Sequence, residues 1–75
     1  MLYIYTAHAL ERMQLRNVTE AMVIKTIESP EETGKGYRNR DLAFRTFPEG
    51  RLKVVLAREG TKVIIITIIW ERKEI

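Results

Sequence analysis

His8-Ala9-Leu10-Glu11-Arg12-Met13-Gln14-Leu15-Arg16-Asn17-Val18-Thr19 reads as the body and end of one helix and the cap of the next. Thr6 is a good N-cap for a helix running to about Arg16. Asn17 tolerates the left-handed conformation that ends helices. Thr19 then caps a second helix, Glu20 to Glu28, with Val18 and Val23 placed as a hydrophobic staple across the cap. At about 100° per residue, His8, Arg12 and Arg16 form one stripe, bordered by Ala9 and Met13 on one side and Leu15 on the other. Cations inside the arc that should pack are unusual, because a solvated helix puts its charges opposite its apolar residues.

Outward from that stretch the pattern turns to β-structure. Leu2 to Tyr5 is short, aromatic and apolar, and is expected to be an edge strand. Ser29-Pro30 stops the second helix. Glu31 to Gly36 reads as a polar loop, and Tyr37 to Phe47 as one strand, or as two kinked near Asp41. Pro48-Glu49-Gly50 and Glu59-Gly60 are turns. Leu52, Val54 and Leu56 alternate with Lys53, Val55 and Ala57. Val63 to Trp70 is apolar on both faces, as a covered central strand would be. Glu71 to Ile75 is a charged tail. The expected fold is α+β: after a short strand, two N-terminal helices pack on one face of a three- to four-stranded antiparallel sheet.

Seventy-five residues make a single domain, 1–75, with a small core. Cysteine is absent, which excludes disulfides and thiolate chemistry and fits a reducing compartment. With no secretory pattern and no apolar run near the ~20 residues of a membrane helix, the expected location is cytoplasmic, away from membrane. The net charge of +3 is unevenly spread. Between Lys35 and Arg58 seven cations face only Asp41 and Glu49, whereas Glu20 to Glu32 holds four glutamates against Lys25. An arginine-rich basic half is the footprint of a polyanion partner. Arg16, Arg38, Arg40, Lys53 and Arg58, with Tyr37 to stack on a base, are the candidate nucleic-acid contacts. Arg38 and Arg40 alternate along the expected strand and so share a face. One histidine and no acidic cluster make no metal ligand set, and no cofactor is expected.

The run H-A-L-E-R-M-x-L-R-N-V-T-E-A-M-V resembles a small domain-of-unknown-function family with the pattern H-A-x-x-R-M-x-x-R-x-[IV]-[ST]. His8, Arg12, Met13, Arg16, Val18 and Thr19 carry the resemblance, and L-K-V-V-L and V-I-I-I-T-I match as strands. Such families have glycine where this chain has Asn17. The family is similar in turn to RelE-like ribonuclease toxins, which implies a RelE-like sheet, RNA as substrate and a small antitoxin-like protein partner. Matched by position, the resemblance implies His8, Arg45 and Thr67 as catalytic residues, with Arg12 in support.

Metal-independent RNA cleavage needs a base for the 2′-hydroxyl, an acid for the leaving oxygen and cations for the phosphorane. Histidine titrates near 6.5, and guanidinium groups grip phosphate in two places. A structural reading stands beside this one. His8 can hold a helix to the sheet, Arg12 and Arg16 can pair with Glu11, Glu20 or Glu59, and Thr67 can be strand filling. Three functions therefore remain open: a metal-independent endoribonuclease, a non-catalytic nucleic-acid-binding module, and a protein-interaction module. The last would dimerise, or dock a partner, through the free face of the final strand at Trp70 or Ile68, a homo-oligomer being expected.

Overall fold

The computed structural model describes residues 1–71; the rest of the expected charged tail, 72–75, lies outside them. The order is β1 (Leu2–Tyr5), α1 (Ala7–Leu15), α2 (Glu20–Glu28), β2 (Glu32–Lys35), a 3-10 turn (Tyr37–Asn39), β3 (Asp41–Phe47), β4 (Gly50–Glu59) and β5 (Lys62–Glu71). Five strands form one sheet in the order β1-β5-β4-β3-β2. Both helices pack on the same face of it, α1 against β5 and β1, α2 against β3 and β4. The α+β class is as the sequence indicates.

The sheet has more strands than the three or four expected, and it is mixed. β1 runs parallel to β5, with Tyr3 beside Val63 and Tyr5 beside Ile65, while the other pairings are antiparallel. The two helices carry the chain across the sheet from β1 to β2 at the far edge, and β3 and β4 bring it back to β5, a long connection of the kind that a parallel pairing requires. The supposed loop after Pro30 is also a strand, β2, paired to β3 from Glu32–Phe44 to Lys35–Asp41. As an exposed edge it tolerates polar residues and a glycine that read as a turn. Tyr37 to Arg40 is not part of a strand. Arg38 and Asn39 have φ of 57° and 60°, which breaks the extended backbone, so Arg38 and Arg40 do not alternate along a sheet face.

The helix signals have direct structural counterparts. Thr6 Oγ1 accepts from Ala9 N–H at 3.0 Å and donates to the Ile66 carbonyl at 3.0 Å. One hydroxyl thus starts α1 and ties it to β5. At the other end Val18 N–H donates to Met13 O and Asn17 N–H to Gln14 O, around Asn17 at φ 56°. This is the Schellman arrangement, which uses up the last carbonyls of the helix. Thr19 Oγ1 accepts from Met22 N–H at 3.2 Å, and Val18 and Val23 are both buried. Gly60, at φ 59°, supplies the left-handed residue in the turn between β4 and β5.

The core lies between the helices and one sheet face. Ala9, Met13, Val23 and Ile27 meet Leu52, Val54, Leu56, Val63, Ile65 and Ile68 there. Ile65 and Ile68 share this face because the register slips in β5. Leu56 faces Ile65 and Val55 faces Thr67, leaving Ile66 as an extra residue. The slip moves Ile68 and Trp70 to the helix side, so these two residues do not form the free face of the last strand. That face carries Ile64, Thr67 and Ile69 instead. No helix among the described residues is long and apolar enough to cross a membrane.

Removing the Thr6 hydroxyl loses a helix cap and one further hydrogen bond, together about 2 kcal/mol. Thr6→Ala should lower the unfolding free energy measured by urea titration by that amount, and Thr6→Ser should restore most of it.

Candidate nucleic-acid interface

The chain between β2 and β3 is closed by Gly36 N–H donating to Arg40 O at 2.8 Å and Arg40 N–H donating to Tyr37 O at 3.1 Å. This forces a tight knuckle with two consecutive left-handed residues. Asn39 adopts that conformation readily, but for Arg38 it costs about 1–2 kcal/mol. The knuckle pushes Tyr37 into solvent, 94% exposed. Strained backbone that presents an aromatic ring and arginines is the kind of cost a binding site retains.

Below the knuckle the sheet brings further cations to the same corner. Lys35 and Asp41 are register partners on β2 and β3, and Lys35 Nζ donates to Asp41 Oδ1 at 2.6 Å. Arg58 Nε, from β4, stands 3.4 Å from Asp41 Oδ2. The hydrogen bond from Lys35, with the charges of Lys35 and Arg58, holds the Asp41 carboxyl below its ordinary value. Two cations, Lys35 and Arg58, therefore meet on one carboxylate, which neutralises only one of their charges, and Arg38 and Arg40 belong to the adjoining knuckle. Arg38 and Arg40 have no side-chain hydrogen bond or ion pair among the described residues, so their guanidinium groups are available to phosphate.

The residues picked from the sequence fall in several places. Tyr37, Arg38, Arg40 and Arg58 share this corner. Lys53 sits on the opposite face of the sheet, in register between Phe44 and Ile69. His8, Arg12 and Arg16 lie on or just beyond α1, at the far edge of the sheet; His8 and Arg16 are exposed and Arg12 half-buried. None of the three has a side-chain partner among the described residues. The Arg16 carbonyl accepts from Trp70 Nε1–H at 3.0 Å, which pins the end of α1 to β5. Arg45 faces the helices and its Nη1 donates to Ser29 O at 2.6 Å, capping the C-terminal end of α2. Thr67 faces the other way, opposite Val55. His8, Arg12, Arg45 and Thr67 are thus not brought into one cavity, and none of them lines the three main grooves.

The largest groove, about 800 Å³, runs beside the β3–β4 turn and holds Glu31, Glu32, Glu49 and Glu71 against Arg51. Its charge repels a phosphate chain. Lys35 and Asp41 were missed as members of the basic corner because their segment reads as loop. The signal that could have found them was their spacing of six around Gly36, the length of a short hairpin. Among the described residues no group of three or more His, Cys, Asp or Glu side chains is placed to hold a metal.

The model of a family described as a domain of unknown function (DUF4258) matches residues 5–70. No curated protein and no solved structure gives a match.

Two outcomes follow from the corner. Replacing Arg38 by glycine removes the left-handed strain, so Arg38→Gly should raise the melting temperature while removing a phosphate contact. The lowered Asp41 value makes its ion pairs a source of stability above the ordinary carboxylate value of 3.8, lost as pH falls through the lower folded-state value. Acid unfolding of Asp41→Asn should therefore show a shallower loss of stability below that point than the wild type.

Proposed function

We propose that this chain, which belongs to the DUF4258 family, is an RNA-binding domain that takes a single strand at the corner formed by Lys35, Tyr37, Arg38, Arg40 and Arg58. The observation that carries the reading is Tyr37, 94% exposed on a strained knuckle that also holds Arg38 and Arg40, neither with a side-chain partner among the described residues. An exposed ring flanked by cations suits unpaired bases, which offer a face for stacking and a phosphate on either side. Duplex grooves give a ring of this kind nothing to stack on. The RelE-like resemblance favours RNA over DNA.

A second reading keeps RNA as substrate and adds cleavage. It rests on His8 and Arg12, one helical turn apart on α1 and without partners among the described residues. In that reading the His8 imidazole takes the 2′-hydroxyl proton and Arg12 steadies the phosphate, as in metal-independent ribonucleases of the RelE-like kind. A second group, such as water, must protonate the leaving oxygen.

Fluorescence anisotropy with a labelled single-stranded RNA tests the first reading. Affinity should fall with salt, by about 0.7 log units per log unit of salt for each phosphate held. Tyr37→Ala should cost about 1–3 kcal/mol of binding. Arg38→Ala and Arg40→Ala should each flatten the salt slope by about 0.7. Unchanged binding in all three variants rejects the corner as the site. Incubation of the same RNA in EDTA tests the second reading: wild type should leave cyclic-phosphate ends and His8→Ala should not. Intact RNA in both leaves binding without cleavage.

A further inference from the structure

The sheet face turned away from the helices carries no packed element among the described residues, and its middle is apolar. Ile4, Leu42, Val55, Ile64 and Ile69 are in register on it, while Phe44 is buried beneath the Arg51 guanidinium, which also pairs with Glu32. Ile4 and Ile69 are 37% and 40% exposed even though their own strands shield them in part. A contiguous apolar sheet face on a small domain marks an interaction surface.

The charges on that face identify its occupant. At one end Arg51 of β4 is in register with Glu71 of β5, with Nε and Oε1 3.8 Å apart. At the other end Glu59 of β4 is in register with Lys62 of β5. Along β4 the face therefore runs from positive to negative, and along β5 from negative to positive. The row of Val55 and Thr67 lies midway between the two ends.

We propose that this face binds a second copy of the chain, turned end over end about the row of Val55 and Thr67. In that arrangement Arg51 meets the partner's Glu59, and Glu71 meets the partner's Lys62. Ile69 falls on the partner's Ile64. Lys53, the one charge between those ends on β4 and β5, falls on the partner's Ala57, the smallest side chain of the face. Rotation about an axis along β4 would instead set Arg51 on Arg51 and Lys53 on Lys53, which like-charge repulsion disfavours. Two such sheets pack about 10 Å apart, within reach of the long charged side chains at the rims. The same charges fit an unrelated partner only by coincidence, whereas a twofold pairing requires this alternation. The basic corners then lie at opposite ends of the dimer, clear of the interface.

Sedimentation of the full chain, with charge reversals, tests the arrangement. Wild type should sediment at twice the chain mass of 8.8 kDa. Glu71→Lys and Lys62→Glu should each weaken the dimer roughly tenfold or more, and the double variant should recover it. Those two residues sit at opposite ends of β5, about 30 Å apart at ~3.3 Å per residue, so recovery can pass only through a second copy. Val55→Glu, which would face its own image at the centre, should give a folded monomer by circular dichroism. A monomeric wild type, single reversals without effect, or no recovery in the double variant would each overturn the proposal.

Discussion

From Val63 to Trp70 β5 is apolar but for Thr67, so both of its sides call for cover, and that requirement bears on the rest of the molecule. The edges of the strand are satisfied by β1 and β4. One face receives α1, which Thr6 anchors at the Ile66 carbonyl and Trp70 anchors at the Arg16 carbonyl. The bulge at Ile66 decides which residues each face receives. With an unbroken alternation, Ile65 and Ile68 would point to opposite sides. The extra residue lets both enter the core, and it turns Ile64, Thr67 and Ile69 to the side the helices leave open. Among the described residues no element packs on that side, which is why its charge pattern bears on assembly.

The helical part was legible because its signals are local. Thr6, Asn17, Val18 and Thr19 each act within five residues, through caps and a staple whose geometry depends on nearby backbone alone. The edge strands were less legible. β2 is Glu-Thr-Gly-Lys, a turn-like composition, and it is a strand only because β3 offers it an unpaired edge. The parallel β1–β5 pairing joins residues some sixty apart, and no short-range pattern encodes it. The bulge was invisible for the same reason: Val63 to Trp70 is uniformly apolar, so nothing in its composition shows where the period slips.

The candidate site divides along the same line. Charge counting picks out the basic half of the chain, with Tyr37, Arg38, Arg40 and Arg58 in it. The first three lie in the knuckle after β2 and not in alternation along a strand. Arg58 is held at the neighbouring end of β3 by the Asp41 carboxylate. Arg45 illustrates the opposite case. A conspicuous arginine in a strand is employed in holding the end of α2, a role that depends on where Ser29 lies in space. Membership of a family of unknown function places the chain among its relatives and leaves the chemistry to be argued from such particulars.

The most direct single measurement is ultraviolet cross-linking of the purified chain to a short single-stranded RNA, with the adducts mapped by mass spectrometry. Adducts on the peptide containing Tyr37 are expected. Adducts confined to the open sheet face around Ile64 and Ile69, or to the α1 segment around His8, would contradict docking at the basic corner.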